Sequence, residues 1–120
     1  MADSVKIHVT GTPDQVRPVL EQVLGAEGFR FTWENAGECI IEKGSRTKAL
    51  LLGAFATHYK YRIILRPQQD GSVIVDAGLA TTGMSGGAIG VAKVRKKLDE
   101  VGRILDGAFQ NAGTFRGRVA

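Results

Sequence analysis

The chain has 120 residues, 43% of them apolar and 23% charged, with a formal net charge of +4. That length suits one domain with its own core, and a single cysteine, Cys39, with no histidine cluster excludes a disulfide scaffold or a zinc fold. The longest unbroken apolar stretch, Ala49 to Ala56, is too short for a membrane span and MADSVKIHVT is no secretory signal. The expectation is a soluble cytoplasmic protein whose basicity permits an anionic partner without demanding one.

Ser4 to Thr10 alternates Val5, Ile7 and Val9 with Lys6, His8 and Thr10, the period-two pattern of a half-buried strand. Gly11 to Asp14 breaks it, with Thr12 as N-cap and Pro13 at the first helical position. The helix runs to about Leu24, burying Val16, Val19, Leu20, Val23 and Leu24, with Pro18 one turn in and Gly25 and Gly28 ending it. Phe29, Phe31 and Trp33 alternate in a second strand, which Asn35-Ala36-Gly37 turns into a third over Glu38 to Lys43. In that strand Cys39 reads as a buried, inert thiol.

Gly44 to Thr57, GSRTKALLLGAFAT, is compatible with a strand, a short helix or an apolar loop. His58 to Arg66 alternates again, with Tyr59, Tyr61, Ile63 and Leu65 on one face. Pro67 to Gly71 turns the chain into a last strand over Ser72 to Ala80. A glycine-rich turn then leads into the longest helix, whose apolar stripe is Val91, Val94, Leu98, Val101, Leu105 and Ala108. Its charges suggest i,i+4 pairs (Arg95–Asp99, Lys96–Glu100, Asp99–Arg103) that leave Lys93 and Lys97 unpaired within the helix. Residues 1–112 form the expected domain, and 113–120 read as a flexible, frayed tail.

Ser85 is the expected N-cap of the long helix, followed by Gly86, Gly87 and Gly90. These glycines either let the helix start close against the sheet or bare amides for an anion. No Lys-Ser/Thr pair follows them, so this is not a P-loop. The order of strand, helix, four or five strands and helix implies an α+β fold, a curved antiparallel sheet with two helices on one face. That order resembles one repeat of the TATA-box binding protein fold. With an added strand from Lys48 to Phe55 it is similar to a shortened helix-grip domain of the START-like kind. The run GMSGGAIGVAKVRKK is also similar to a pattern in small uncharacterised bacterial proteins. Fold alone does not assign function.

Three functions compete. The first is a non-enzymatic module holding an apolar or amphipathic ligand between the long helix and the sheet. Leu51, Phe55, Tyr59 and Tyr61 would line it, and the amides of Ser85, Gly86 and Gly87 would meet an anionic group. The second is nucleic-acid binding by Lys60, Arg62 and Arg66, with Lys6, His8 and Arg30 on the same sheet face, as the TATA-box binding fold would imply. Glu34, Glu38, Glu42 and Asp76 share that face, however, and cross-strand ion pairs account for the pattern. The third is a structural or homodimerising domain that uses Leu50 to Phe55. No catalytic constellation, metal site or cofactor motif is present in the sequence, and an enzyme is not expected.

Overall fold

The computed structural model describes residues 4–44, 59–79 and 87–119. Within them lie β1 (Ser4–Thr10), α1 (Pro13–Ala26), β2 (Arg30–Asn35), β3 (Glu38–Lys43), β4 (Tyr59–Pro67), β5 (Ser72–Leu79), α2 (Gly87–Ala112) and β6 (Phe115–Val119). The strands form one curved antiparallel sheet in the order β2-β3-β4-β5-β1-β6, and the two helices cover one face, giving the two-layer α+β architecture.

The expected start of α1 is observed. Thr12 adopts an extended conformation before Pro13, and its backbone N–H donates to Gln15 Oε1 at 3.0 Å. The helix continues two residues past Leu24 and closes in a Schellman arrangement. Phe29 N–H donates to the Leu24 carbonyl and Gly28 N–H to the Gly25 carbonyl, each at 3.0 Å. Gly28 sits at φ +94°, a conformation that glycine alone adopts without strain, so it makes this stop. Pro18 stays within the helix.

The core is the inward side of the sheet against both helices. Val5, Ile7 and Val9 of β1, Tyr61, Ile63 and Leu65 of β4 and Val73, Val75 and Ala77 of β5 are buried. They meet Val16, Leu20 and Leu24 from α1 and Val94, Leu98, Val101, Leu105 and Phe109 from α2. Val19, Val23 and Phe31 pack partly buried at its margin.

Two expectations require correction. The segment 113–120 contains a strand: Lys6, Ile7, His8 and Val9 pair with residues of β6, and Thr10 N–H donates to the Thr114 carbonyl at 2.9 Å. β6 forms on the open edge of β1; its own run FRGRV alternates Phe115, Gly117 and Val119 with Arg116 and Arg118, but over so few residues with a central glycine the pattern is a weak signal. Lys97, expected to be unpaired within its helix, bonds Glu100 at 2.8 Å with i,i+3 spacing. The conformation of Gly44 to Thr57 beyond Gly44, the added strand from Lys48 to Phe55, and Ser85 as N-cap lie outside the described residues.

Candidate functional site

Along β4 the alternation holds, with Tyr61, Ile63 and Leu65 inward and Lys60, Arg62 and Arg66 outward. The outward cations meet carboxylates from neighbouring strands. Arg62 Nη1 lies 2.9 Å from Glu34 Oε1 and also bonds Glu38 Oε2, bridging β2 and β3. Arg66 Nε lies 3.2 Å from Asp76 Oδ2, and Lys60 stands opposite Glu42 in the β3–β4 register. These pairs join the strands through the charges that would otherwise meet phosphate. Each exposed pair contributes only about 0–1 kcal/mol.

A second cluster lies where β3 ends, β4 begins and the first turns of α2 pass over. Lys43 is the register partner of Tyr59, and Tyr61 is opposite Leu79. Lys43 Nζ lies 5.9 Å from the centroid of the Phe29 ring and Lys97 Nζ lies 5.5 Å from that of Tyr59. Among the described residues Lys43 has no carboxylate partner, whereas Lys97 is held by Glu100, whose bond raises the lysine's pKa and lowers the glutamate's.

Beneath this cluster lies the packed core of the described residues. Tyr61 is fully buried, its ring centroid 6.2 Å from that of Phe29, and its hydroxyl donates to the Val94 carbonyl at 2.6 Å. Burial pushes its pKa up. Of the two tyrosines expected to line a pocket, Tyr59 is half-buried at the rim and Tyr61 belongs to the core. Farther along α2, Leu98, Val101 and Leu105 are fully buried against the sheet. Leu51, Phe55, Ser85 and Gly86 lie outside the described residues. Gly87 opens α2.

The structure also joins three residues that sequence reading did not connect. His8 Nε2 lies 2.6 Å from the Oγ of Ser72, which donates to Asp70 Oδ1 at 2.5 Å. Ser72 also donates its backbone N–H to the same oxygen at 3.1 Å, and Arg116 of β6 stands 3.5 Å from the other one. The two bonds from Ser72, with Arg116 and His8 nearby, hold the Asp70 carboxyl below the usual carboxylate range. With the hydroxyl proton directed at Asp70, the imidazole donates to Ser72 rather than accepting from it. That order is the reverse of a serine poised as a nucleophile by its histidine. The network ties β1, β6 and the β4–β5 turn together beside an open cleft of about 480 Å³ lined by His8, Pro67, Gln68, Gln69, Asp70 and Ile74. The positions are 64 residues apart, with no spacing signal to link them.

Cys39 is fully buried, and burial, then Glu21, pushes its thiol up to about 12. Among the described residues no group of three or more His, Cys, Asp or Glu is placed to hold a metal, and no helix is long and apolar enough to cross a membrane. No protein-family model and no curated protein matches the chain.

Proposed function

We propose that the protein is a non-enzymatic binding module for an apolar or amphipathic ligand with an anionic head, taken at the end of the sheet where β3, β4 and the first turns of α2 meet. The observation that carries this reading is Lys43, a cation seated on the Phe29 ring beside Tyr59 and without a carboxylate partner among the described residues. A cation on aromatic surface suits a molecule that is charged at one end and apolar at the other. With Tyr61 buried in the core below, this reading places such a ligand at the rim beside Tyr59.

The test is native mass spectrometry of protein purified from its own host, followed by titration with a fluorescent long-chain fatty acid. The reading expects an adduct or saturable binding, weakened about five- to tenfold by Lys43→Ala, an effect of ~1 kcal/mol. An apo protein that does not bind the probe, or binding that Lys43→Ala and Tyr59→Ala both leave unchanged, overturns it. The ion pairs on Arg62 and Arg66 weigh against the nucleic-acid alternative, for which affinity should fall steeply with salt.

A further inference from the structure

Among the described residues the sheet ends in two edge strands, β2 and β6. β6 is five residues long, carries two arginines, and shifts register against β1 between His8 and Val9. Shortness, charge and irregularity are the usual devices that stop an edge from taking another strand. β2 is RFTWEN, six residues without glycine or proline, and it runs in regular register with β3 from Arg30 to Trp33 before a shift between Trp33 and Asn35. Its inward residues Phe31 and Trp33 are only half-buried and stack at 6.1 Å with their rings 18° apart. Arg17 of α1 lies 4.4 Å over the Trp33 ring. Arg17 Nε and Trp33 Nε1 are both buried without a hydrogen-bond partner, so two unmet donors sit beside one sheet edge.

The strand is complementary to itself. An added antiparallel strand must keep inward residues opposite inward residues, which allows only every second register. Turned about Thr32, the segment Arg30-Phe31-Thr32-Trp33-Glu34 places Arg30 opposite Glu34 of the second copy and Phe31 opposite Trp33 of the second copy. The ion pair and the aromatic pair each form twice by symmetry. The next allowed registers set Arg30 or Glu34 against threonine, and those beyond set like charge against like. Existing contacts already order the two charged side chains, since Arg30 Nη2 donates to the Gly44 carbonyl at 2.7 Å and Glu34 holds Arg62 at 2.9 Å. On α1, which covers this edge, Arg17 and Glu21 repeat the opposite-sign pattern one turn apart. A twofold axis normal to the sheet runs α1 antiparallel to its copy and brings that pattern onto its complement.

We propose that β2 is a self-complementary docking edge whose partner is a second copy of this chain, joined β2 to β2 about Thr32 so that the sheet continues across the twofold axis. This surface is separate from the ligand rim at Lys43 and does not depend on it.

Sedimentation equilibrium tests it. Wild-type protein should rise with concentration from 12.8 kDa toward twice that mass. The emission of Trp33, the one tryptophan, should shift to the blue in step. Arg30→Glu and Glu34→Arg each set like charges against each other in the dimer and should each weaken association about tenfold or more. Mixed in equal amounts the two variants restore opposite charges and should form the heterodimer, which also shows that each is folded. A wild type that stays monomeric up to its solubility limit overturns the proposal. So does a dimer that neither reversal weakens, or two monomeric variants that fail to pair when mixed.

Discussion

Cys39 and Tyr61 are ionisable groups sealed in the core, and burial raises both pKa values. In the unfolded chain the same groups titrate near their ordinary values, 9.0 for the thiol and 10.0 for the phenol. As pH rises past those values the unfolded chain loses protons that the folded one keeps, so stability falls. For Cys39 the contribution is complete below 9.0 and is lost as pH climbs toward about 12. Urea midpoints should therefore fall progressively above 9.0, and Cys39→Ala, although less stable at neutral pH, should show a shallower fall. A midpoint unchanged at alkaline pH would mean that neither group stays protonated on folding. The thiol should also resist alkylating reagents until the chain unfolds, as its position beside Trp33 in the β2–β3 register implies. Its burial was legible in the sequence, where it sits among strand residues with no activating neighbour. The core position of Tyr61 was only half legible: alternation gives the face, but whether a face ends in a pocket or a packed layer depends on the helix above it. Here Val94 supplies the carbonyl that lets a phenol be buried.

At the scale of elements, α2 packs close against β1 at Gly102. A Cβ there would lie 2.7 Å from Arg118 Nη2 and 3.0 Å from Val5 Cγ1. The arginine tip can move, at the expense of its 2.9 Å bond to Asp106, but Val5 is buried and its branched side chain has little room to yield. Gly102→Ala gains up to ~1 kcal/mol of helix propensity yet should be destabilising by about 1 kcal/mol overall, because overpacking generally costs more. Urea unfolding measures the sign, and a stabilised variant would mean that the contact relaxes freely. Local signals placed both ends of β1 and the start of α1, because alternation and the Thr12-Pro13 cap act within a few residues. They did not place Lys97 with Glu100 over the alternative Lys96 with Glu100, since both spacings are open to a helix and the burial of the helix face selects between them.

For the whole molecule the edge strands are decisive. A chain ending at Gly113 would lose β6, the partly buried Phe115 and the Arg118–Asp106 bond, and would bare the edge of β1. That truncation should cost about 2 kcal/mol or more and promote association through the new edge. Equal unfolding midpoints for the two chains would restore the reading of 113–120 as a tail. The sequence by itself determined the two-layer α+β class, β1 to β5 in outline, both helices and the centres of their buried stripes, although Val19, Val23 and Ala108 are only half-buried and Phe109 joins the core from outside the expected stripe. These follow from hydrophobic period and local capping, each encoded within one or two turns of chain. Tertiary structure decided that the short run of β6 pairs with β1, that His8 and Ser72 meet across 64 residues, and that β2 lies at the other edge of the sheet among the described residues. Strand order is a matter of long-range pairing, where the partner rather than the segment supplies the hydrogen bonds, and no local pattern records it.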